Sequence, residues 1–114
     1  MATEDNATTV TAPGTQGAAN YARLIQMHAP AEDFERILAV IKDRVVPAVR
    51  QLPGFRSDYF AGDAGQGRLV SFVLFDSAEG LAAAEALFQK MRAQIEQMRL
   101  QFDSVENLQL FVGG

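Results

Sequence analysis

A chain of 114 residues, 48% hydrophobic and 21% charged, is sized for one domain that can bury a core of its own. It has no cysteine and one histidine, which excludes disulfides, thiolate nucleophiles and cysteine-ligated centres, and leaves too few soft ligands for a protein-built transition-metal site. Ten Lys and Arg against fourteen Asp and Glu give a net charge of −4, which argues against a nucleic-acid partner. Residues 1–20 are rich in Ala, Thr, Gly and Asn, with neither a basic start nor an apolar centre. They read as a flexible tail rather than a secretory signal, and the expected location is the cytoplasm. No apolar run approaches the roughly 18–20 residues that span a membrane, so no membrane partner is expected either.

Residues 21–28 (YARLIQMH) form a strand candidate, with Tyr21, Arg23, Ile25 and Met27 on one face and Leu24 and Gln26 on the other. Pro30 suits the first turn of a helix, and Glu32 and Asp33 suit its positive end. From there Phe34, Ile37, Leu38, Ile41, Val45, Val49 and Leu52 recur at three- and four-residue steps, the pattern of one buried helical stripe. Pro47 has no amide hydrogen and predicts a kink about one turn upstream; Leu52-Pro53-Gly54-Phe55 stops the helix. Residues 55–61 predict a second strand, with Phe55, Ser57, Tyr59 and Ala61 on one face and Arg56, Asp58 and Phe60 on the other. The glycine-rich 62–67 joins two strands, so it is a hairpin and not a phosphate cradle, which needs a helix after it.

Residues 69–75 (LVSFVLF) are apolar except for Ser71 and predict a strand buried on both faces. Asp76 and Ser77 can cap the next helix, with Glu79 in the capping-box position. Leu81, Ala84, Phe88, Met91, Ile95, Met98 and Phe102 then alternate steps of three and four, predicting one seam over about six turns. Arg92 and Glu96 form an i,i+4 pair on its wet side. Residues 106–112 supply the last strand. The order strand–helix–strand–strand–helix–strand predicts an α+β fold: a ferredoxin-like βαββαβ domain over 21–112, with a four-stranded antiparallel sheet and two helices on one face. Helices then cover only one side of the doubly apolar 69–75 strand. A second copy packed face to face covers the other, so a homodimer is expected.

The strand YARLIQMH, the helix ending in LPGF, the strand end LFDS and the long helix with ALFQKM resemble the dimeric α+β barrel superfamily. In particular they resemble domains of the antibiotic biosynthesis monooxygenase type, across residues 21–112. It implies a cofactor-independent oxidation of a planar aromatic or polyketide-like ligand in a pocket between helices and sheet, the substrate itself supplying the electrons. Haem-degrading relatives use an Asn on the first strand and a Trp and a His on the second helix. Those positions fall at Tyr21 and near Ala84 and Gln94, which match none of the three, so haem chemistry ranks last. The phenol-oxidising relatives also lean on Trp, which this chain lacks.

Each candidate residue has two readings. His28 is a general base or a plain histidine at a strand end. Arg23, among apolar neighbours, either stabilises an anionic or phenolate ligand or pairs with a carboxylate such as Asp58. Tyr21 and Tyr59 either orient a flat ligand or are half-buried with wet hydroxyls. Phe72, Phe75, Phe88 and Met91 line an apolar pocket or are simply core. The leading expectation is a cofactor-independent monooxygenase-like domain for a small planar aromatic or polyketide-like ligand, with His28 and Arg23 catalytic and Tyr21, Tyr59, Phe72, Phe88 and Met91 binding, and with neither metal nor cofactor. The alternative is a non-catalytic dimeric ligand-binding or interaction domain of the same fold.

Overall fold

The computed structural model describes residues 20–111; residues 1–19 and 112–114, and with them most of the expected tail and the expected domain end, lie outside the described residues. Strand β1 spans Tyr21–His28 and is followed by a helical segment over residues 31–49. That segment opens with a 3-10 turn at Ala31–Asp33, continues as α1 (Phe34–Val40), widens into a π-helical turn at Ile41–Val45 and ends as α2 (Val46–Val49). The π turn ends two residues before Pro47, which has no N–H to offer the preceding turn, so the predicted kink takes the form of a wider turn. Strands β2 (Phe55–Asp63) and β3 (Arg68–Phe75) follow, then α3 (Ala78–Glu96) and β4 (Gln101–Gln109). The four strands pair antiparallel in the order β2-β3-β1-β4, the predicted βαββαβ plan. No helix among the described residues is long and apolar enough to cross a membrane.

All the helices pack on one face of the sheet. Phe34, Ile37 and Ile41 meet Met27 and Leu69 at one end, and Ala84 meets Val73 and the fully buried Phe75 at the other. Burying a side chain of that size contributes about 1.5–3 kcal/mol. The second face carries cross-strand rows such as Tyr59–Phe72–Leu24 and Leu74–Ala22–Leu108, with no helical layer over them among the described residues. Tyr59 is 59% exposed there.

Two short motifs lock together at one corner. Gly54, at φ 74°, is in the left-handed region that favours glycine, and a β-carbon there would approach Asp76 Oδ1 to 2.5 Å. Asp76 N–H donates to the Gly54 carbonyl (2.8 Å), and the Asp76 carboxylate pairs with Arg56 (2.7 Å). LPGF and FDS therefore hold the start of α3 against the start of β2.

Several boundaries differ from expectation. The cap of α3 is Ser77, whose side chain accepts from Gly80 N–H; Asp76 is engaged by Gly54 and Arg56, so no capping box forms. The seam of α3 does not run to Phe102. The helix ends at Glu96, Arg99 turns the chain at φ 67°, and β4 starts at Gln101, five residues before its predicted start. Phe102 instead packs edge-on against Phe88 from the strand, with ring centroids 4.8 Å apart. An irregularity between Phe55 and Ser57 moves Phe55 to the helix-covered side, while Ser57 and Tyr59 stay on the other.

Candidate functional site

Between the helix-covered face and the helices is a cavity of about 80 Å³ with almost wholly apolar walls. Strand alternation directs Arg23, Ile25 and Met27 of β1 and Ser71, Val73 and Phe75 of β3 into it, and α3 adds Ala84, Leu87, Phe88 and Met91. The charged residue among these walls is Arg23, whose side chain is 3% exposed. Removing a guanidinium from water is costly unless its hydrogen bonds are replaced. Here Nη1–H donates to Asn107 Oδ1 on β4 (2.9 Å) and Nη2–H to Glu85 Oε1 on α3 (2.8 Å). The other Glu85 oxygen accepts from Gln89 Nε2, one turn on (2.6 Å). Hydrogen bonding from Gln89, then from Arg23, holds the Glu85 carboxyl below its ordinary pKa.

An aromatic stack supports the charge. The Arg23 guanidinium carbon lies 5.3 Å from the centroid of Phe88, and Arg92 sits 5.6 Å from Phe88 and 5.8 Å from Phe102. Arg92 is itself tied to Glu96 at 2.9 Å, the pair predicted from spacing.

Of the candidate residues, the fold brings Arg23, Phe88 and Met91 together at the cavity. Tyr21 lies on the same face but packs against the Val73–Phe75 cluster instead of lining the space. Tyr59, Phe72 and His28 lie on the opposite, uncovered face. Phe72 is three residues from Phe75, an odd step that turns it away from the helices, so it does not belong to a pocket beneath them. Arg23 does not pair with Asp58, which accepts from Arg50 instead (3.2 Å). His28 Nδ1 is 2.7 Å from Asp103 Oδ1, with both side chains about half exposed. A base so oriented could act only on something bound to the outer face, so His28 cannot serve the cavity.

Sequence reasoning missed Glu85 and Asn107. Glu85 offered one local signal, its i,i+4 spacing to Gln89 beside the apolar seam. Asn107 faces Arg23 across β1 and β4, a register that only the assembled sheet supplies.

The sequence matches no protein-family model and no curated protein. The fold does match solved structures. A monooxygenase of Streptomyces coelicolor, solved with nanaomycin D, superposes with a TM-score of 0.64 at 11% identity over 84% of this chain and 89% of that one. A Deinococcus radiodurans protein assigned to the antibiotic biosynthesis monooxygenases does so at 0.64 and 13% identity, over 82% of this chain and 93% of its own. A dimeric ferredoxin-like protein from an uncultured marine organism gives 0.63 at 11% identity, over 83% and 97%. The chain thus has the fold shared by antibiotic biosynthesis monooxygenase domains and dimeric ferredoxin-like proteins. At such identities the likeness concerns the fold; ligand and reaction have to be argued from the site.

Proposed function

We propose that this chain is a homodimeric domain of the cofactor-independent monooxygenase type that binds a planar aromatic or polyketide-like molecule between its helices and its sheet. The observation that carries the reading is the buried guanidinium of Arg23 at the wall of an otherwise apolar cavity. Apolar walls suit a flat ring, and one fixed cation suits a phenolate or enolate oxygen on it. The outer sheet face, with Phe72, Leu24 and Leu74 side by side, supports pairing with a second copy. The dimeric ferredoxin-like neighbour and the monooxygenase solved with nanaomycin D are consistent with both parts.

In this reading Arg23 stabilises the enolate, whose proton passes to solvent, since His28 is on the other face. The enolate gives one electron to dioxygen. The resulting radical and superoxide combine into a peroxide, which takes up a proton and loses water to leave a ketone. The substrate is oxidised by two C–H equivalents and one O₂ is reduced to one product oxygen and one water.

The cavity volume favours a second reading. About 80 Å³ is below the roughly 300 Å³ at which small-molecule sites begin, which fits a non-catalytic dimeric domain whose interior is filled by its own side chains. A haem reading gains nothing from the geometry, because the one histidine faces away from the cavity.

Anthrone and dissolved oxygen separate the readings. The monooxygenase reading expects oxygen uptake equal to anthraquinone formed, falling roughly a hundredfold in Arg23→Ala. Binding of anthrone without oxygen uptake supports the non-catalytic reading, and absence of binding overturns the ligand site altogether.

A further inference from the structure

We propose that Glu85 stands where the anionic oxygen of a ligand will stand, so that the cavity admits planar molecules bearing a carboxylate or similar oxyanion, which take Arg23 from Glu85 as they enter. This rests on the reading that the cavity takes a ligand.

The two partners of the ion pair are unequally placed. Arg23 is 3% exposed and Glu85 is 45% exposed, so one charge is built into the protein and the other sits at its surface. Separating them costs the two sides very differently. Glu85 rotates into water, and its second oxygen already has a partner in Gln89 on the same helix face. Arg23 cannot follow, because Asn107 holds its other terminal nitrogen from β4 (2.9 Å) and the ring of Phe88 lies against its face. A guanidinium fixed on two sides and bonded on the third by a half-exposed carboxylate is an anion site filled by an internal, displaceable occupant.

The geometry also sets the selectivity. Arg23 is the charged side chain on the cavity wall, and Ser71 is its polar companion there. A neutral aromatic molecule entering this space leaves the Arg23–Glu85 pair intact and gains only from apolar contact. An aromatic carboxylate offers Arg23 the same chemical group that Glu85 offers, carried on a ring as apolar as the walls. Glu85 therefore sets a threshold: it weakens every anionic ligand by competition and leaves neutral ones unaffected. It acts as a specificity residue through Arg23.

The test uses the full chain with 2-naphthoate and its neutral counterpart 2-naphthalenemethanol, titrated by calorimetry near neutral pH. Glu85→Ala is expected to tighten 2-naphthoate roughly tenfold, and Glu85→Gln by less, while the neutral probe changes less than about twofold. In an Arg23→Gln background the same substitutions at Glu85 are expected to shift neither probe. Should Arg23→Gln fail to fold, the contrast between the two probes in the Glu85 variants, where an exposed residue is changed, carries the test alone. An unchanged 2-naphthoate affinity in Glu85→Ala, or an equal gain for both probes, overturns the proposal while leaving the ligand site standing. Failure of both probes to bind any of these proteins overturns the proposal together with the ligand site.

Discussion

The two faces of one sheet carry similar side chains in different settings. On the helix-covered face Phe75 is fully buried and Arg23 is locked to Asn107 and Glu85. On the outer face Tyr59 is 59% exposed, and His28 and Asp103 pair in half-exposed positions. A charge on the inner face is thus part of the architecture, whereas the equivalent pair outside is screened by water and weak. The comparison shows why a motif search that weighs residue types alone misleads here. The histidine, the chemically most obvious residue, is on the sheet face opposite the cavity that Arg23 lines.

That contrast can be broken or sharpened by experiment. The largest effect is expected for Phe75→Ala, which removes a fully buried ring and should cost about 3–5 kcal/mol of unfolding free energy in denaturant titrations. Phe72→Asp, three residues away on the other side, should leave the far-ultraviolet circular dichroism spectrum intact. It should raise the dimer dissociation constant roughly a hundredfold in sedimentation experiments by placing a charge in an apolar interface. A monomeric wild type, or a dimer indifferent to that substitution, would remove the outer face from the dimer contact.

His28→Ala breaks only the outer pair and should change stability by less than about 1 kcal/mol in the same titrations, with no change in binding at the cavity. A loss of cavity binding in that variant would contradict the separation of the faces.

The smallest effect concerns pH. The Glu85 carboxyl is held below its ordinary value of 4.5 by Gln89 and Arg23, so its contribution to stability is fully present above that value and is lost as pH falls through the depressed one. The gap in melting temperature between wild type and Glu85→Gln should be constant from neutral pH down to that value and shrink below it. A gap that widens on acidification would mean that the ionised Glu85 does not stabilise the fold.

Much of the fold was legible because period and punctuation agree along the chain. YARLIQMH begins and ends where β1 does, and Pro47 marks the site of the π turn within a few residues. The end of α3 was hidden because Phe102 happens to continue the three–four spacing, although Arg99 has already turned the chain. No side-chain preference announced that turn: a non-glycine residue adopts it, with its guanidinium drawn to Asp33 at 2.6 Å. The site was legible only in part. Strand alternation put Arg23 on one face with Tyr21, Ile25 and Met27, but which face the helices cover, and hence that Phe72 turns away from the cavity while Phe75 lines it, is visible only in the assembled sheet. The partners of Arg23 lie 62 and 84 residues away in sequence, beyond any local pattern.

The fastening of α3 at its two ends has a mechanical consequence. Gly54 and Asp76 clamp the chain just before its first turn, and Arg99, just beyond its last, grips Asp33 in the opening turn of the first helical segment. A rod pinned at both supports bends in the middle and does not swing from one end. Any widening of the space beneath it therefore falls on the stretch around Glu85, Phe88 and Met91, and cutting the Arg99 tether would convert that bow into a flap.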